Sequence, residues 1–95
     1  MKAKHFRLVV SPRLFNERFR LAMVCPICGG AAGLARNAGF LVSPMGFGLK
    51  TDGAVHAHQV KSLDWAAGRA DFVEKAPEVI MQQVIDCLLA VLEDE

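Results

Sequence analysis

Only one stretch of this 95-residue chain carries a helical period. From Pro77 to Leu92, the apolar residues Ile80, Val84, Cys87, Leu88 and Val91 recur at three- and four-residue spacing, flanked by Met81, Ile85, Leu89 and Leu92. Pro77 suits a first helical turn because its missing N–H would be unpaired there, and Glu78 sits where the helix dipole favours a negative charge. So wide an apolar face has to lie on a sheet. Upstream, short apolar runs bounded by turn residues supply that sheet: Arg7 to Val10, Leu21 to Cys25, Gly39 to Val42 and Ala54 to Leu63 read as strands. Six of the eight glycines fall between Gly29 and Gly48, and no helical period survives among them. Pro12 to Phe19 fits a short helix and equally a long connection. Several short strands followed by one C-terminal helix predict an α+β domain, a small antiparallel barrel-like sheet with the helix packed on it.

A chain this long supports one hydrophobic core, so residues 1–95 are read as a single domain. With 53% apolar and 22% charged residues, disorder is excluded and apolar surface is left over, which points to a partner subunit. The strongest apolar run, Val84 to Leu92, is broken by Asp86 and is far below the roughly 20 residues of a membrane span. No signal peptide opens the chain, and a soluble cytoplasmic protein is expected.

The net charge of +1 hides an asymmetry. Residues 1–70 hold ten Lys or Arg against Glu17, Asp52 and Asp64, whereas residues 71–95 hold Lys75 against seven acids. A basic body with an acidic tail suits a phosphate-bearing partner on one face, and an acidic solvated helix gives the same tail.

Two local motifs carry chemistry. Cys25-Pro26-Ile27-Cys28-Gly29-Gly30 is half of a zinc-ribbon pattern, and Cys25, Cys28, His56 and His58 form a chemically possible ligand set whose spacing matches no common structural zinc site. The plainer reading makes Cys25 a buried residue ending a strand. In His56-Ala57-His58, alternate residues of one strand would project both imidazoles from one face, ready to serve as base and acid at neutral pH. Two ordinary surface histidines would look the same. Lys61, Arg36 and Lys50 are candidate phosphate contacts.

Taken in order, several segments resemble the MazF/PemK (ChpB-like) toxin family: Leu8-Val9-Val10-Ser11-Pro12 with Phe15-Asn16, Cys25-Pro26-Ile27, Ala35-Arg36-Asn37-Ala38-Gly39-Phe40, Gln59-Val60-Lys61-Ser62-Leu63-Asp64-Trp65 and Ala76-Pro77-Glu78. The resemblance runs over almost the whole chain. It implies an SH3-like, CcdB-like barrel, a homodimer, and a metal-independent endoribonuclease of a type II toxin-antitoxin system that cuts single-stranded mRNA and is held in check by a cognate antitoxin. It also implies that no cofactor is needed.

The sequence departs from the family at the site itself. His5-Phe6 stands where the family has Arg-Pro, and the strand that usually precedes it is expected to be missing. Cys28 occupies the hydroxyl position, His56 stands where some members carry arginine, and His58 replaces the acid before Gln59; Gln59 and Lys61 match. Two readings follow. In one, His5, Cys28, His56 and His58 have rebuilt the catalytic group, with Gln59, Lys61 and Arg36 binding RNA. In the other, the chain keeps the fold and binds an antitoxin, or inhibits gyrase as CcdB does, while cutting RNA weakly or not at all, since histidine does not reproduce a bidentate arginine.

Overall fold

The computed structural model describes residues 6–28, 41–42, 53–68 and 70–93. Strand β1 (Phe6–Val9) leads through Ser11-Pro12 into helix α1 (Arg13–Phe19), and the chain returns along β2 (Ala22–Cys28). Strands β3 (Leu41–Val42) and β4 (Ala54–His56) follow, then a 3₁₀ turn (Ala57–Gln59), β5 (Lys61–Leu63) and the C-terminal helix α2 (Glu78–Glu93). The antiparallel α+β arrangement with a terminal helix is as expected. Pro12 to Phe19 resolves into a true short helix, begun in extended backbone at Pro12 and ended by Arg20 in the left-handed region.

Among the described residues every ladder is antiparallel and β2 is the hub. On one side it pairs with β1, Leu8 opposite Cys25; on the other its first half pairs with β5, Val24 opposite Lys61, and its end with β4, Ile27 opposite Val55. Strand β3 continues the sheet beyond β4, Val42 opposite Val55. Among the described residues this makes an open five-stranded sheet.

The expected single strand from Ala54 to Leu63 is therefore two strands with a turn between them. Passing from Val55 to Lys61 takes six steps, while β2 needs only three from Ile27 to Val24, so three residues must leave the ladder. They coil into the 3₁₀ turn. Pro26 lies where this happens. Val10 N–H donates to Met23 O at 2.9 Å, and the alternation of an antiparallel ladder then makes Arg7–Pro26 a non-hydrogen-bonded pair. The amide hydrogen that proline lacks would have pointed the other way, into the interval between β4 and β5, so a central strand tolerates proline here. Cys25 does not end its strand either; β2 runs on through Cys28, which pairs with Ala54.

Helix α2 covers the sheet with Ile80 and Val84, which meet Leu8, Cys25, Val42, Val55 and Ala57 in one core, with Met81, Cys87 and Leu88 at its margin. The expected packing face is only partly used: Leu89, Val91 and Leu92 of the last turns are exposed, as is Val79. No helix among the described residues is long and apolar enough to cross a membrane.

Candidate functional site

The turn that removes three residues from the ladder also sets the chemistry of its flanks. His56 is the last residue of β4, paired with Leu41, and only 7% of it is exposed. Its Nε2 is sealed from solvent with no hydrogen-bond partner among the described residues. His58, in the middle of the 3₁₀ turn, is exposed. The two rings still meet, centroids 5.6 Å apart and planes inclined by 39°. They do so across a turn, not along one face of a strand as strand alternation had implied. Val55, His56 and Ala57 are all buried in succession, which no regular strand with one wet face would allow.

Gln59 ends the same turn and is exposed, and Lys61 opens β5 with its side chain exposed opposite Val24. Four of the expected site residues, His56, His58, Gln59 and Lys61, thus lie on one six-residue segment. Cys28 enters by its backbone alone: it is paired with Ala54, two residues before the buried histidine on β4. His5 and Arg36, the other expected members, fall outside the described residues, as does Lys50.

The described members of the zinc set, Cys25, His56 and His58, do not converge as ligands. Cys25 is wholly buried, in the same core as Ile80 and Val84, while His58 is at the surface. Burial, with a smaller contribution from nearby Cys87, pushes the Cys25 thiol up to about 11, so it is a protonated, apolar core residue at neutral pH. Among the described residues no three metal-ligating side chains converge.

Sequence reasoning attached no role to a second cluster, which ties α1 to β2 and to the residue beyond β5. The Ser11 hydroxyl donates to Asn16 Oδ1 and accepts the Met23 amide at 2.9 Å, and Asn16 Nδ2 returns a bond to Ser11 O at 3.3 Å. Met23 is itself opposite Ser62 of β5. The Asn16 carbonyl then accepts the Trp65 indole N–H at 3.1 Å, just past the end of β5. Arg20 covers that indole, its Cζ 5.8 Å from the ring centre. The signal was present in the sequence as Ser11-Pro12 with Asn16 and as Trp65, but long-range side-chain to backbone bonds have no local period by which to be read.

Residues 1–92 match the sequence profile described as PemK-like, MazF-like toxin of type II toxin-antitoxin system. Over 85 residues the chain is 39% identical to Endoribonuclease PemK of Escherichia coli; the match covers 90% of this chain and 63% of that relative, so the chain spans less than two thirds of its length. Among solved structures, Form II of MazE-MazF from Deinococcus radiodurans superposes with a TM-score of 0.84 at 28% identity, over 100% of this chain and 81% of that one. Form I of the same pair gives 0.80 at 32% identity, over 92% and 80%. With a profile that spans nearly every residue and solved relatives that share its sheet and terminal helix, the chain belongs to the PemK-like, MazF-like toxin family of type II toxin-antitoxin systems.

Proposed function

We propose that this chain is the ribonuclease toxin of a toxin-antitoxin pair, a cytoplasmic, homodimeric endoribonuclease that cuts single-stranded RNA through the RNA's own 2′-hydroxyl and is neutralised by a cognate antitoxin. The observation that carries the reading is the single segment bearing the adjoining rings of His56 and His58 together with exposed Gln59 and Lys61. It is supported by the resemblance to Endoribonuclease PemK and by the pairing of MazE with MazF in the structural relatives.

In this mechanism His58, exposed on the turn, takes the proton from the 2′-hydroxyl as the oxygen attacks phosphorus. The bond to the 5′-oxygen breaks, and that oxygen receives a proton from the second imidazole, His56, once RNA binding opens the cover over its Nε2. The products are a 2′,3′-cyclic phosphate and a 5′-hydroxyl. Lys61 and Arg36 neutralise phosphate charge and Gln59 hydrogen-bonds the strand. Cys28 and His5 complete the candidate group, Cys28 as a weak hydrogen-bond donor. No cofactor is required.

The test is direct. Purified protein is incubated with a long RNA in the presence of a chelator and the new ends are mapped; 3′ cyclic phosphates that disappear when His56 and His58 are both changed to Ala support the reading, and full activity in that double variant removes the pair from the mechanism. The burial of His56 favours one second reading, a binding module that cuts poorly. Growth arrest with intact RNA would select it, whether the target is gyrase or another protein.

A further inference from the structure

We propose that Arg20 and Trp65 form a second RNA contact, a cationic-aromatic platform on which an unpaired base stacks, separate from the segment that carries the histidines. The proposal rests on the ribonuclease reading and specifies where the strand goes beyond the cleavage point.

The end of the β2–β5 ladder brings the two residues together: Ala22 opposite Leu63 is its last pair, and Arg20 and Trp65 each lie two residues beyond it. The indole is fixed in place by its bond to Asn16 O, and Asn16 is clamped in turn by Ser11. The guanidinium carbon lies over the ring, 5.8 Å from its centre, and Arg20 is exposed, so the pair presents a cation and an aromatic ring together at the surface. Arginine planes and aromatic rings are the surfaces on which proteins stack single-stranded bases.

Three further observations favour a ligand over a purely internal contact. Arg20 holds φ 55° and is the one non-glycine residue with positive φ among the described residues. Glycine is the usual residue at such a helix end, so the arginine sits there against the local backbone preference. Neighbouring acids are engaged elsewhere: Glu17 pairs with Arg13 at 2.7 Å, and Asp64 Oδ1 accepts the Ala67 amide at 3.0 Å. Arg20 has no carboxylate partner among the described residues, and Arg18 and Phe19 beside it are exposed. Finally, Trp65 follows Lys61 by four residues, which places it within about 14 Å of that side of the site. A short single strand covers that span.

Trp65 is the chain's one tryptophan, so its emission reports on the platform alone. The full chain is titrated with a 12-nucleotide single-stranded RNA carrying 2′-fluoro groups, which binds without being cut. Saturable quenching of Trp65 is expected. The variant Arg20→Gly suits the backbone at that position, so its thermal midpoint should stay within a few degrees of the wild type. Its affinity should fall about tenfold, and the slope of log affinity against log salt should drop by about one. Unchanged affinity and salt slope in Arg20→Gly, or Trp65 emission indifferent to saturating RNA, overturns the platform. Quenching by an acidic peptide and not by RNA also overturns it, by giving the surface to a protein partner. A wild type that cleaves natural RNA while Arg20→Gly is unaffected refutes the platform alone; a wild type that neither binds nor cleaves RNA refutes the ribonuclease reading and the platform with it.

Discussion

The rings of His56 and His58 stand 5.6 Å apart, yet one is sealed in the protein and the other faces solvent. Their substitutions should therefore separate chemistry from stability. His58→Ala is expected to leave unfolding free energy within about 0.5 kcal/mol of the wild type, as for most surface changes, and to lower RNA cleavage about 10²- to 10⁴-fold, the usual worth of a proton-transfer group. Urea melts and initial cleavage rates check both. His56→Leu should hold or raise stability, because it removes a buried nitrogen with no partner among the described residues. A large loss of stability in His56→Leu would show that the nitrogen is satisfied and structural.

The Ser11 hydroxyl ties α1 to β2, and Ser11→Ala removes both of its bonds while leaving the Asn16 Nδ2 bond to the Ser11 carbonyl. The Met23 amide loses its acceptor and Asn16 Oδ1 its donor. An unmet polar group costs about 1–3 kcal/mol where it is shielded from water, and the Met23 end of the network is partly wet, so about 1–2 kcal/mol is expected. For a domain of this size that lowers the thermal midpoint by roughly 4–15 °C, measurable by calorimetry. A shift below one degree would mean water replaces the hydroxyl without loss.

The helix-to-sheet contact rests on Ile80 and Val84, exposed by 2% and 0%. Ile80→Ala should cost about 2–5 kcal/mol through lost burial and the cavity left behind. The exposed Leu92→Ala should cost little in the isolated chain. Equal losses at the two positions, measured by chemical denaturation, would mean that the last turn of α2 is covered in solution.

Alkaline pH should weaken the fold through Cys25. Its thiol is held up to about 11 when folded, against 9.0 for the free group. Between those values the unfolded chain has released a proton that the native chain keeps, so stability is intact below about pH 9 and falls as pH rises toward 11. Burial pushes Cys87 in the same direction. The difference in urea midpoint between pH 8 and pH 10.5 should be smaller in Cys25→Ala than in the wild type; an identical difference would remove the thiol as its source. At pH 7.5, alkylation of Cys25 should proceed only at the rate of unfolding.

Periodicity made the C-terminal helix and the strands up to Val10 and Cys25 legible, because each needs only local spacing and a bounding turn. The break inside Ala54 to Leu63 was not, because nothing in Val55-His56-Ala57-His58 opposes a continuous strand; the decision comes from β2, thirty residues away, through register and Pro26. For the same reason the two histidines were correctly grouped but wrongly given equal exposure. Lys61 was legible from its charge and Gln59 by resemblance, and both lie on the same segment as the histidines. The lock of Ser11, Asn16 and Trp65 was visible only as residue types, since its bonds span up to 49 positions.

The offset between the two ladders on β2 makes length, more than identity, the inherited quantity of the segment from His56 to Val60. Dropping one residue there would rotate everything that follows by one pleat, exchanging the wet and dry sides of β5. The residue count of that segment thus places its exposed side chains, His58 and Gln59, relative to the buried pair His56 and Ala57.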